Sequence, residues 1–357
     1  GSVNVSGTLK STNFNYMVNI EDAVFDLVEL GSLSSKGEYN GDYLDIKFAN
    51  ASNGDDLIKS YGIVPFDLNL SSKRFGKLFS EDTLDFHSSG NLSSMPFLSP
   101  YISELDSIKG SIDIILSLSG PANSIIRNGA IDVKNSSIYT MLINNPITNV
   151  NGRAEMLDNV LDITYLNGGS FNPNSNKNNF KENNLTISGL IDFKSFFKPN
   201  YNISVESINQ NEIYIETLPI DLIGFADSIN VSIYGKDTVN IEGDIEIVDI
   251  TLFHEFIFAD VGTSLSNEDG LTMSYSLNVP IKGEGKFQNS QVDAIMIGQI
   301  SLSKIGDQFW SIGGEVFIED GSIFSFKDNF KNLNGYVTFD NNGINPNMNL
   351  RAITNID

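Results

Sequence analysis

The chain has 357 residues, 40% of them hydrophobic, which is enough to bury a core and too much for a disordered polypeptide. Its formal net charge of −23, with the acids dispersed, argues against nucleic acid as a partner and against flat docking on anionic headgroups. Cysteine is absent, which excludes disulfides, thiolate metal sites and cysteine nucleophiles.

Strand signals begin early. Leu44-Asp45-Ile46-Lys47-Phe48 alternates apolar and polar residues after an Asn40-Gly41 hairpin signal. Lys73 to Phe79 and Pro100 to Leu105 read as short helices. From Gly110 onward a local pattern recurs: glycine, any residue, apolar, usually polar, apolar. It appears at Gly110, Gly129, Gly152, Gly189, Gly243, Gly298, Gly314 and Gly335, at spacings of 16 to 55 residues. A solenoid of fixed coil length would keep a constant period, so the spacing favours a meander of unequal strands, each opened by a glycine at a turn exit or bend. Asn172 to Asn184 and Phe253 to Gly270 read as loops. No run of about 18 apolar residues is present and no signal peptide is visible. Gly1-Ser2 at the start and the abrupt stop after Ile356-Asp357 read as a piece of a longer protein.

A search for chemistry finds little. His87 and His254 lie far apart, and a zinc site would need carboxylates to complete it. Gly283-Glu284-Gly285 lacks the third glycine and the helix of a dinucleotide fingerprint. The acidic pairs Asp55-Asp56, Glu81-Asp82, Glu268-Asp269 and Glu319-Asp320 sit at turn signals, where Asp is favoured for local hydrogen bonds. Neither a nucleophile elbow nor a Walker A loop occurs, so no catalytic residue, metal or cofactor is expected. The large apolar faces remain. They could pack on each other as a closed sandwich, or line an open channel for an apolar ligand; alternation reports a buried face, not what buries it.

The motif order resembles the TamB family within the AsmA-like proteins. One stretch runs from Ser99-Pro100-Tyr101 through the strand opened by Gly110, the Gly120-Pro121 turn and the strand opened by Gly129, to Leu161-Asp162-Ile163-Thr164-Tyr165. A second runs from Gly298 through Gly314 and Asp320-Gly321 to Ile344-Asn345-Pro346 and Leu350-Arg351-Ala352. The resemblance implies an all-β, elongated, mostly antiparallel curled sheet forming an open hydrophobic groove, a β-taco, with a few short helices. It implies a β-rich segment over 1–95, AsmA/TamB-like groove repeats over 96–260 and a TamB-like C-terminal segment over 261–357. It also implies a non-enzymatic periplasmic protein, anchored to the inner membrane by a missing N-terminal segment. Such a protein would carry phospholipid between membranes beside an Omp85-type outer-membrane barrel. The expected groove wall is Ile112, Ile114, Ile131, Val133, Ile163, Ile187, Ile191, Phe193, Ile245, Ile247, Ile300, Val316 and Ile318, with Asp113, Asp132, Asp162, Asp192 and Glu246 turned to solvent. The main alternative is a surface or secreted adhesin or autotransporter-like protein with a closed core; a carbohydrate-active β protein is a third.

Overall fold

Alternating sequences of this kind fold by pairing each strand with the next, because short turns make antiparallel neighbours the nearest available partners. The computed structural model describes residues 1–25, 28–94, 105–140, 143–174, 182–195, 198–209, 212–217, 221–253, 272–325, 328–343 and 345–354. Its first strands are β1 (Ser2–Thr8), β2 (Ser11–Phe25), β3 (Val28–Tyr39), β4 (Leu44–Asn53), β5 (Asp56–Val64), β6 (Phe66–Asp67), β7 (Lys77–Leu78) and β8 (Thr83–Ser94). The middle comprises β9 (Leu105–Pro121), β10 (Ile126–Thr140), β11 (Ile147–Leu157), β12 (Val160–Gly169), β13 (Leu185–Asp192), β14 (Asn200–Ser207), β15 (Ile213–Thr217), β16 (Leu222–Gly235) and β17 (Thr238–Leu252). β18 (Thr272–Gln288), β19 (Val292–Ile305), β20 (Ser311–Ser325), β21 (Asp328–Asp340) and β22 (Asn347–Ile353) complete the series.

All but β6 and β7 belong to one sheet of 20 strands that follows chain order. β14 and β15 lie end to end along the same edge of β16, the first on its C-terminal half and the second on its N-terminal half. Neighbours are antiparallel throughout except β17 and β18, which run parallel. Parallel neighbours need a crossover of a dozen or more residues, and 253–271 supply the length. Among the described residues β1 pairs only with β2 and β22 only with β21, so the sheet is not closed.

The expected short helices are not borne out: among the described residues there is no helix. Residues 73–79 are too short to nucleate one and are claimed by sheet and turn contacts instead. Lys77 and Leu78 pair with Asp67 and Phe66, Phe79 N–H donates to Pro65 O at 2.8 Å, and Ser72 Oγ donates to Asp67 at 2.5 Å. Of Pro100 to Leu105, residues 100–104 lie outside the described residues and Leu105 begins β9.

The recurring glycines also sit differently from expectation. They lie inside strands, and all but Gly110 stand opposite large side chains on the neighbouring strands. Gly189 stands between Ile163 and Ile203, and Gly243 between Val231 and Leu277. Both adopt positive φ, 134° and 157°, which side-chain-bearing residues avoid. A Cβ on Gly189 would come within 2.2 Å of the Asn202 carbonyl oxygen. Such glycines bend strands, as designed sheets require for curvature.

Gly189→Ala is therefore expected to cost about 3 kcal/mol or more in urea unfolding, since it adds backbone strain to a main-chain clash. Gly54→Ala, at a turn with nothing within 4 Å of the added methyl, should cost about 1 kcal/mol, the ordinary left-handed penalty. Equal effects of the two would contradict the bending role.

Candidate functional site: an apolar sheet face

Directly paired residues of neighbouring strands project from the same face, so the register shows what each face carries. One row reads Ile58, Gly90, Ile114, Ile131, Ala154, Ile163, Gly189, Ile203, Ile233, Ile241 and Tyr275 across eleven strands. A second reads Leu92, Ile112, Val133, Gly152, Leu166, Ile187, Val205, Val231, Gly243, Leu277, Leu302 and Ile312. Over these strands neither row contains a carboxylate; the first row reaches its first charge at the next position, Lys304 on β19, the partner of Tyr275. The opposite face reads Asn91, Asp113, Asp132, Arg153 and Tyr165 in one row, and Thr186, Glu206, Asn230, Asp244, Asn278 and Ser301 in another.

The structure brings twelve of the thirteen expected wall residues to the apolar face. Ile112 and Ile114 lie on β9, Ile131 and Val133 on β10, Ile163 on β12, and Ile187 and Ile191 on β13. Ile245 and Ile247 follow on β17, Ile300 on β19, and Val316 and Ile318 on β20. Phe193 falls just past β13, where its N–H donates to the Asn159 carbonyl at 2.7 Å. Alternation alone also marks Ile203 and Val205 of β14, between Asn202, Ser204 and Glu206; they were missed because no glycine opens that strand. The middle of the row on β16, Val231 and Ile233, lacks the glycine signal for the same reason.

Burial is uneven along this face. Leu222, Ile247, Ile250, Val279, Ile281, Ala294, Met296, Val316, Ile318, Leu333 and Val337 form one dry cluster within β16 to β21. Ile114, Ile131, Ile163, Ile187, Ile191, Ile203, Val205 and Ile241, in the middle strands, are only half-buried. Ile147, Val150, Leu166, Leu185, Ile187 and Val205 line a small apolar gap of about 10 Å³, a packing defect and not a cleft.

One end of these middle strands is sealed. Asn145, Ser170 and Asn184 are buried there and satisfy one another with β15. Asn145 Nδ2 donates to Ser170 Oγ at 2.5 Å and to Tyr214 O at 3.3 Å, and Ser170 Oγ donates to Tyr214 O. Asn184 Oδ1 accepts from Ser170 N–H at 3.0 Å, while its Nδ2 donates to Ser170 O at 3.1 Å and to Glu212 O at 2.9 Å. Glu216 N–H donates to Asn145 Oδ1 at 3.0 Å. Burial and the bond to Glu216 push the Tyr214 hydroxyl up to about 12. Beneath this network Leu185, Ile213 and Ala226 pack together, with Ile147 against them.

The polar face gathers the charge. Asp113 and Asp132 are direct cross-strand neighbours, a repulsive placement relieved by Lys134 at 3.1 Å from Asp113 and Arg153 at 2.7 Å from Asp132. Asn91 donates to Asp113 at 2.7 Å, and this bond, then the one from Lys134, holds the carboxyl below the ordinary carboxylate range. Asp162 and Asp192 share this face, and Glu246 pairs with Lys282 at 2.6 Å. His87 lies 3.0 Å from Asp85 and stacks on Tyr61; His254 lies outside the described residues. Asp56 caps Ser93 N–H at 2.6 Å and Asp320 accepts from Gly321 N–H at 2.7 Å, while Glu268 and Asp269 lie outside the described residues. Among the described residues no three His, Asp or Glu side chains gather as a metal site would require.

Compared with known proteins, the chain matches no family model, no curated protein and no solved structure.

The sealed end supplies a test of its own. Asn184→Ala strands the Ser170 N–H and the Glu212 carbonyl and is expected to cost about 2–3 kcal/mol in urea unfolding. Asn144→Ala, which removes an exposed bond to Glu216, should cost under about 0.5 kcal/mol. A small effect at Asn184 would show that the network does not hold β15 in place.

Proposed function

We propose that the apolar face is the wall of a lipid-binding groove, and that the protein is a non-enzymatic carrier that shields phospholipid acyl chains from water. The observation that carries this reading is a contradiction between layering and burial. Among the described residues the sheet has no second layer large enough to cover it: the remaining strands, β6 and β7, are two residues each. Yet Ile112 is 0% exposed and eleven residues of β16 to β21 form a dry cluster. A single sheet reaches such burial when it bends over its own apolar face, and the mid-strand glycines provide the bends. Where the bend is less complete, large aliphatic side chains stay accessible.

Physical chemistry favours an aliphatic occupant. Each methylene removed from water contributes about 0.8 kcal/mol, so a continuous apolar wall holds an acyl chain without any polar pocket. A peptide fits less well, because every residue brings an N–H and a C=O that this face, with its own backbone groups paired in the ladders, cannot satisfy. The exclusion of carboxylates from the two central rows, in a chain of net charge −23, fits the same reading. With the TamB-like motif order, the reading extends to work in the periplasm, between an inner-membrane anchor and an Omp85-type barrel.

Ile191 and Leu190 separate the faces within one strand. Ile191→Asp puts a carboxylate on the wall, whereas Leu190→Asp adds one to the polar face, where Leu190 is already exposed. Phospholipid in an organic extract of the purified protein, quantified by mass spectrometry, should fall about tenfold for Ile191→Asp with only a modest loss of melting temperature. Leu190→Asp should match the wild type in both. A lipid-free wild type together with gross unfolding of Ile191→Asp would indicate a closed core and end the proposal.

A further inference from the structure

The polar face changes character over β18 to β22, where aromatic rings stand among its amides and acids. One row there reads Pro280, Gln299, Glu315, Thr338 and Asn347, and the next Ile297, Phe317, Tyr336 and Asn349. Gln299, Ser301, Glu315 and Phe317, along with Gly298 and Gly314, line an open concavity of about 500 Å³. That volume lies in the range of small-ligand clefts. Phe317 is 47% exposed and Tyr336, its direct partner on β21, 40%. Core packing does not explain these rings, because Val316 and Val337, beside them in the chain, already fill the buried face. The polar groups around them are positioned but not used up. Asn278 Nδ2 donates to Asp244 at 2.8 Å, and Gln299 Nε2 donates to Asn278 Oδ1 at 2.5 Å, which leaves Gln299 Oε1 to accept. Asn349 Nδ2 donates to the Tyr336 hydroxyl oxygen at 2.9 Å, so the hydroxyl keeps its own proton to donate. Asp113, Asp132 and Glu246 on this face each have a cation; among the described residues Glu315 has none.

We infer that this concavity binds a neutral oligosaccharide, with sugar rings stacked on Phe317 and Tyr336 and hydroxyls held by Glu315 and Gln299. The site lies on the face opposite the apolar rows and does not rest on the lipid-groove reading. A pyranose ring presents an apolar C–H face and a rim of hydroxyls, which an exposed aromatic ring beside a carboxylate and an amide complements. An ionised carboxylate accepts two hydroxyls at once, in charge-assisted bonds. Neighbouring strands lie about 4.8 Å apart, close to the repeat of a pyranose chain, so rings on β20 and β21 meet successive sugar units. An anionic ligand would face Glu315 in a chain of net charge −23. A quaternary ammonium ion calls for rings on several sides, whereas Phe317 and Tyr336 stand side by side in one row.

Saturation-transfer difference NMR on the purified chain reads binding directly, with cellotetraose, maltotetraose and tetra-N-acetylchitotetraose as probes. At least one of the three should bind, and isothermal titration calorimetry gives its Kd. Phe317→Ala and Glu315→Ala should each weaken that binding about tenfold, with circular dichroism confirming that both variants fold. Tyr165→Ala should leave the Kd unchanged, because it removes an aromatic of the same exposure, 47%, on the polar face of β12, outside the concavity. No signal from any of the three probes at about 10 mM would overturn the inference. So would a Kd that either Phe317→Ala or Glu315→Ala leaves unchanged, or binding of tetragalacturonate or choline in preference to the neutral probes.

Discussion

Everything in this molecule depends on a steric alternation within its cross-strand rows: large aliphatic residues next to glycines whose missing side chains leave room for a neighbouring backbone. Ile163, Gly189 and Ile203 are one instance, and Val231, Gly243 and Leu277 another. A flat single-layer sheet of this length would leave one apolar face in water, a liability at every strand. Under the proposed reading, bending toward that face would share the burial among the sheet's own side chains. Each aliphatic side chain fully removed from water contributes about 1.5–3 kcal/mol, so the completely buried cluster of β16 to β21 is the strongest part of the structure. The half-buried middle gains less from folding.

The polar face solves the complementary problem. A net charge of −23 carried by one long sheet is self-repulsive. Lys134, Arg153 and Lys282 are placed opposite the carboxylates that crowd most closely; Asn91 adds an amide bond to Asp113, and Asn278 donates to Asp244 at 2.8 Å. These pairs are exposed, and pairs of that kind contribute little individually. Their consequence is directional: the charge collects on one face, opposite the two aliphatic rows.

Much of the fold was legible from the period of two. Alternation around Ile112, Ile131, Ile163 and Ile191 assigned the faces correctly, and the acids Asp113, Asp132, Asp162, Asp192 and Glu246 lie opposite them. The glycines were found but misplaced at strand starts, because a local pattern cannot distinguish a turn exit from a mid-strand bend such as Gly189. The helix expected at residues 73–79 failed because tertiary pairing with Phe66 and Asp67 outweighed weak local propensity. The sealed end was invisible. Asn145, Ser170, Asn184 and Tyr214 are separated by up to 69 residues and read singly as ordinary turn residues. Nor does alternation reveal which strands pair in parallel, since β17 and β18 carry the same period as the rest.

The central claim, one bent sheet extended along its stacking axis, is tested most directly by small-angle X-ray scattering from the purified chain. Counting collinear β14 and β15 as one position, the strands stack at about 4.8 Å each, giving a body on the order of 90 Å long and a radius of gyration of about 25–30 Å. A value near 20 Å, that of a compact globular domain of this length, would contradict it.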